Sequence, residues 1–319
     1  MLLATGMRAQ VVVNAAYFEA RGSYNAHFTK PYSGTFSGEV LNFVLEGELT
    51  PKLSYQFRQL LNVLPYSDKN VLNGTEILSL TWTPTPKWSF QVGKIPVNMG
   101  GFEWSFDPID IYYCTDFCDH IPYISALGAG ATFSPNENQS FIVQGTRSLL
   151  TDGRYDVFNL SLGWSGQFAS WWKTIWGFNL MDDDFHHMMG HLILGNRFEA
   201  GPVAFELDGM YRRSFKQRSA GLDMSVTGRL EYTIGKWVLT AKGGYDTNSE
   251  KNIDPDGYAY DLTVEPGTSY LFGGAGVEYY PLGNKNVRIH TMGWYENRDR
   301  AFHLMAGLTF RLHLKRPKR

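Results

Sequence analysis

Five carboxylates, Glu103, Asp107, Asp110, Asp116 and Asp119, fall between Met99 and Ile121, a stretch that holds no Lys or Arg. So dense a run of one sign must be solvated, paired with cations from elsewhere in the chain, or set across a wet gap. In a gap it would orient dipolar solutes and favour cations weakly over anions. Both cysteines of the chain, Cys114 and Cys118, lie in the same stretch, beside Asp119 and His120. That spacing leaves open a local disulfide, two free thiols, or a metal centre completed by His120 and a fourth ligand. It excludes a disulfide-built scaffold and a four-cysteine metal or cluster site.

Other constellations are weaker. His186, His187 and His191 follow three aspartates, Asp182 to Asp184. On a strand, however, His187 and His191 stand about 13 Å apart, too far to grip one ion. Asn252, Asp254, Asp256 and Gly257 imitate the start of a calcium loop, but Thr263 stands where the bidentate Glu should be. No nucleophile elbow or phosphate loop occurs, and Gly273 to Gly276 falls inside a strand-like run. The residues therefore call for no cofactor and no resident metal, and they argue against an enzyme. With 29 basic and 31 acidic residues the net charge is -2, so no global field attracts nucleic acid.

The elements that must position these residues announce themselves by alternation. Leu222, Met224, Val226, Leu230 and Tyr232 are apolar, while Asp223, Ser225, Thr227, Arg229 and Glu231 between them are polar. The same period of two recurs from Val203 to Arg212, from Phe158 to Ser165 and from Phe302 to Leu312. Aromatic residues make up 15% of the chain and charged residues only 19%, against about 25% in an average soluble domain. No apolar run reaches the roughly 18 residues of a spanning helix. In a soluble sandwich the greasy face would be the core. Two features favour lipid instead. Aromatic residues gather near the segment ends (Tyr55, Trp82, Trp88, Trp164, Trp172, Trp237, Tyr279), and short connections alternate with long ones.

Sixteen strand-like segments result, at about 10–20, 38–49, 53–62, 76–83, 88–96, 124–134, 140–149, 155–168, 171–180, 187–198, 203–213, 220–234, 237–245, 269–280, 287–296 and 301–314. Fourteen or eighteen strands also satisfy the pattern. Long connections are expected at Arg21 to Ser37, Val63 to Thr75, Val97 to Tyr123 and Asp246 to Thr268. An open edge in hydrocarbon would strand backbone polar groups at several kcal/mol each, so an even-stranded sheet must close on itself. The expected fold is all-β, a transmembrane antiparallel β-barrel of about 16 strands with a polar-lined lumen. It forms one domain over residues 10–319. Residues 1–9 read as a signal-peptide remnant cut after Ala9, or as an ordinary extension.

The run Gly93-Lys94-Ile95-Pro96-Val97-Asn98-Met99-Gly100-Gly101-Phe102-Glu103-Trp104, followed by Asp107-Pro108-Ile109-Asp110, resembles the phosphate-selective porin O/P family of Gram-negative outer-membrane proteins. The resemblance implies a sixteen-stranded, usually trimeric porin in the bacterial outer membrane, with its third loop folded into the lumen. That family's anion specificity depends on basic residues in the constriction, whereas the stretch here is acidic. The C-terminus departs as well, because Phe310 is followed by Arg311 to Arg319 instead of ending the chain on an aromatic.

Strand parity sets Arg58, Lys173, Arg197, Arg212, Arg229, Lys242, Arg288 and Arg311 on the pore wall, with Glu46, Glu48, Glu206, Asp208, Asp223, Glu231, Glu278 and Glu296 among them. These charges would either pair and hydrate one another or form, with the acidic loop 97–123, a transverse field across a narrow eyelet. Aromatic residues of the loop (Phe102, Trp104, Phe106, Tyr112, Tyr113, Phe117) would either pack it against the wall or stack on sugars. Three functional classes survive. The first is a water-filled channel for passive diffusion of small hydrophilic solutes and ions, surrounded by outer-membrane lipid. The second is a barrel that anchors or assembles a secretion or surface-lipoprotein complex, and the third, a hydrolase, lacks any nucleophile-base pair.

Overall fold

A computed structural model describes residues 11–62, 74–121, 125–151, 156–217 and 223–315. The expected signal remnant, 1–9, lies outside the described residues. Sixteen antiparallel strands run β1 (Val12–His27), β2 (Ser33–Thr50), β3 (Leu53–Leu60), β4 (Thr75–Thr85), β5 (Trp88–Pro96), β6 (Ser125–Asn136), β7 (Gln139–Arg147), β8 (Phe158–Ala169), β9 (Trp172–Met181), β10 (Met189–Ala200), β11 (Val203–Ser214), β12 (Asp223–Ile234), β13 (Trp237–Thr247), β14 (Ser269–Tyr279), β15 (Val287–Glu296) and β16 (Ala301–Lys315). Each pairs with its sequence neighbours and β16 pairs with β1, so the sheet is a closed barrel without an edge.

Alternation determines which side chains face which way, because successive Cβ atoms point to opposite faces of a strand. Leu78, Leu80 and Trp82 of β4 and Phe158, Leu160 and Leu162 of β8 stand exposed on the outer surface. The polar partners between them turn inward. Near the short turns the aromatics cluster, with ring centroids 4.7 Å apart for Trp88–Phe133 and 4.4 Å for Trp237–Tyr279. Amphipathic rings favour such a level at a membrane interface. The short turns occupy one end of the barrel, which is the periplasmic end in this architecture.

Two expectations are corrected. Arg21 to Ser37 is not a long loop: β1 and β2 stay paired through most of it, past a register shift at Arg21/Gly22, with Tyr24 opposite Phe36 and Asn25 opposite Thr35. The greasy/wet contrast fades there because the strands run past the apolar band, while the ladder itself persists. The lumen, in turn, is not uniformly polar and wet. A dry cluster sits inside it, made by Met181, Met189, Ile193 and Met210 of the wall with Val97, Met99, Phe117 and Ile121 of the β5–β6 loop and Val264 of the β13–β14 loop. An inward loop must bury something to stay inward, and apolar contact with the wall supplies the driving force.

Candidate functional site

The β5–β6 loop, hereafter loop 3, enters the barrel through the glycine-rich run that ends β5. Gly93 has φ of 123° and so close an approach to β4 that a Cβ would lie 2.2 Å from the Leu78 carbonyl oxygen. Only glycine tolerates both. A Cβ on Gly101 would lie 2.4 Å from the Asp208 carboxyl group on β11. With no side chain in the way, Asp208 Oδ2 accepts the Glu103 backbone N–H at 2.7 Å and pins the loop to the far wall. The loop then makes short helical turns at Glu103–Ser105 and Pro108–Asp110 and a single-turn helix α1 (Asp116–His120). Thr115 caps α1 by accepting the Cys118 N–H at 3.2 Å.

Four of the five loop carboxylates meet cations directly. Glu103 lies 2.8 Å from Lys242 Nζ. Asp107 is shared by Arg58 at 2.9 Å and Arg311 at 3.0 Å, and Asp110 lies 2.6 Å from Arg288. Asp116 pairs with Arg298, and its backbone N–H donates to Asp246 at 2.9 Å. Asp119 is exposed on α1 and makes no ion pair with another described residue. The remaining wall cations do not meet these carboxylates. Arg197 and Lys173 pair with Glu199, and Arg197 and Arg229 with Glu206, towards the periplasmic end. Arg212 is buried against Asp261 of the β13–β14 loop.

Two cations that hold the loop escaped the reading of parity. Arg21 donates to the carbonyls of Ile109 and Ile111 at 3.0 and 2.6 Å while pairing with Glu39 at 2.6 Å. Its inward side is the one Glu19 already marks, so continuing the β1 alternation past Ala20 would have found it. Arg298, in the turn between β15 and β16, carries no strand parity, and no sequence signal points to it.

Cys114 and Cys118 are free thiols, so the local disulfide does not form. They touch across the start of α1, where a hydrogen bond with Cys114 and then burial hold the Cys118 thiol well above the ordinary range. Among the described residues no group of His, Cys, Asp and Glu is arranged to hold a metal. His187 instead lies 3.2 Å from both Asp183 and Asp254, while His191 is on the lumen wall. Asp254 closes an exposed turn by accepting the Asp256 and Tyr258 N–H groups.

Aromatic residues of the loop divide by role. Phe102 and Phe117 are buried, and Trp104 packs on the dry cluster. Tyr112 donates to Glu278 at 2.6 Å, and burial with that neighbouring carboxylate raises its phenol pKa. Tyr113 stacks on Trp294 at 5.1 Å, and Phe106 lies under the Arg229 guanidinium at 4.3 Å. Phe106, Tyr112 and Tyr113 also line free space. A cavity of about 40 Å³ separates the loop from the β11–β15 wall, among Glu103, Tyr113, Asp208, Arg229 and Lys242. A second of about 270 Å³ lies towards the periplasmic turns, among Lys236, Tyr280 and Lys285. The two share Phe106, Asp110, Arg229 and Glu278, so they adjoin. The smaller holds only a few waters.

Residues 15–170 match the family model of phosphate-selective porin O and P. No curated protein matches the chain. Among solved structures, Salmonella typhi OmpF in complex with daunomycin is 10% identical, aligned over 93% of this chain and 97% of that one with a TM-score of 0.66. The trimer form of Vibrio cholerae OmpT is 11% identical over 95% and 99%, with a TM-score of 0.61. Pseudomonas aeruginosa OccD3 (OpdP) is 12% identical over 96% and 94%, with a TM-score of 0.54. At these identities the likeness establishes the fold, and the family match covers the strands that lead into and out of loop 3. The family match over residues 15–170 and the sixteen-stranded architecture both point to an outer-membrane channel of the porin type.

Proposed function

We propose that the protein carries small hydrophilic solutes and ions across the outer membrane by passive diffusion, constricted by the acidic loop 97–123 against the partly basic wall. The observation that supports this most is the pair of adjoining cavities between Phe106–Tyr113 and the β11–β15 wall, lined by acidic and basic side chains. The dry cluster closes the lumen beside β9–β11, next to that wall. Glu103, Asp107, Asp110 and Asp116 each face a cation, so the bias expected of an unpaired acidic loop shrinks towards neutrality. What persists is a set of local dipoles across the eyelet, which favours polar over apolar solutes. A homotrimer in lipid is the matching assembly, as in the OmpT trimer form.

Purified protein in a planar bilayer is the test. Stepwise, ohmic current supports diffusion through the barrel. Persistent silence in well-folded protein rejects it. The dry cluster inside the lumen gives the assembly-module reading its one point of support. Silence together with a co-purifying outer-membrane partner would favour that reading, and turnover of lipid or peptide would favour a hydrolase.

A further inference from the structure

The β13–β14 connection, residues 248–268, folds into the outer half of the lumen and delivers one carboxylate to a buried cation. Asp261 Oδ2 accepts from Arg212 Nε at 2.8 Å, with Arg212 0% and Asp261 1% exposed. The Thr263 N–H donates to Asp261 Oδ1 at 2.8 Å, holding the carboxylate forward. Arg212 Nη1 donates to the Ser225 hydroxyl at 2.6 Å, and its guanidinium lies 5.3 Å from the Phe117 ring centroid of loop 3.

An ion pair that merely stapled the loop would leave its surroundings satisfied. Here they are not. Asn179, His191 and Arg212 are neighbours in register on β9, β10 and β11, and all three are fully buried. Arg212 Nη2, both ring nitrogens of His191 and both amide atoms of Asn179 have no hydrogen-bond partner among the described residues. Met181 and Met189 flank that row on one side and Ile193 and Met210 on the other, so the polar row runs through a pliable apolar wall. Val264 fills that wall three residues after Asp261. The loop thus presents an acid group and an aliphatic group to a cation, a polar row and the methionine side chains that flank it.

We propose that Arg212, His191 and Asn179 form a binding site for small aliphatic carboxylates, which loop 248–268 occupies with Asp261 and Val264 as a tethered stand-in for the solute. The site names a solute class for the channel and rests on that reading. A tether of this length presents Asp261 at an effective concentration on the order of millimolar, so a free carboxylate competes only near or above that level.

The test is chemical rescue of Asp261→Ala in the full-length folded barrel, read as the thermal unfolding midpoint. It compares sodium butyrate with sodium chloride and sodium phosphate at matched ionic strength and neutral pH. The expected result is a lower midpoint than wild type in chloride and recovery of most of that loss in butyrate but not in phosphate. Arg212→Gln/Asp261→Ala should show no recovery. Equal midpoints in all three salts, equal recovery in phosphate, or recovery that survives loss of Arg212 would each overturn the site. If Asp261→Ala does not fold, Asp261→Asn keeps the shape and removes the charge, and the same three salts apply. This readout needs no conductance, so a silent bilayer would reject the channel while leaving the site testable. In a conducting wild-type channel, millimolar butyrate should raise the frequency of current transitions, and Arg212→Gln/Asp261→Asn should abolish the increase.

Discussion

Glu103 holds loop 3 at three points at once. Its side chain, only 3% exposed, accepts the Thr115 backbone N–H at 3.2 Å and the Thr115 hydroxyl at 2.7 Å, and it faces Lys242 at 2.8 Å. Removing a single partner of so buried a pair strands a charge, which costs about 3–5 kcal/mol. Lys242→Met should therefore lower the unfolding midpoint of the barrel by a clear margin in thermal melts, whereas a change at the exposed Asp119 should leave it in place. Gly101→Ala drives a Cβ into the Asp208 carboxyl group, and relief of such overpacking costs about 1–3 kcal/mol. The anchor at Asp208 must yield, so noisier single-channel current is expected together with the lower midpoint. For the thiols, hydrogen bonding with Cys114 and burial raise the pKa of Cys118, which lowers its thiolate fraction at neutral pH. Alkylation of Cys118, followed by peptide mapping, should be slow at neutral pH and should accelerate as pH rises towards the raised value. A fast, pH-independent reaction would contradict that environment.

At the level of elements, loop 3 is held by ion pairs to β3, β13, β15 and β16, by hydrogen bonds from Arg21 of β1 and by apolar contacts to β9, β10 and β11. Such a girdle of attachments makes the loop part of the barrel's architecture and not a free flap. Replacing residues 102–119 with a short Gly-Ser linker should remove the obstruction, since a barrel of sixteen strands otherwise encloses an aqueous channel. Unitary conductance should rise by about twofold or more, because the lumen of so many strands is wider than side chains can fill. An unchanged conductance would show that the path does not pass beside loop 3.

For the molecule as a whole, the decisive quantity is charge balance. Lumen cations and carboxylates interleave from Arg21–Glu39 at the outer side to Arg229–Glu231 at the inner. Reversal potentials across a potassium chloride gradient should consequently stay close to zero, with ion preference below what an unpaired acidic loop would give. A strong preference of either sign would mean that a few uncompensated groups control the eyelet. Replacing Arg288 and Arg311 with Gln takes its ion-pair partner from Asp110 and leaves Asp107 with Arg58 alone, and should move the reversal potential towards cation preference.

The amino-acid sequence by itself narrowed the strand count to about sixteen, set the inside and outside of the alternating strands and located the longest loop. Those features follow from a period of two, from turn residues and from the prohibition on unpaired backbone in lipid. Parity likewise marked Arg58, Lys242, Arg288 and Arg311 as wall residues, since facing direction is local. Only the tertiary structure decided which charges meet. Asp107 finds Arg58 and Arg311 across the lumen from opposite ends of the chain, and Arg212 takes its carboxylate from Asp261 instead of loop 3. A pairing of that kind depends on the depth to which two loops descend into a closed barrel. Descent is governed by packing against Met181, Met189 and Met210, inward apolar residues whose purpose appears only when the loops that cover them are in place.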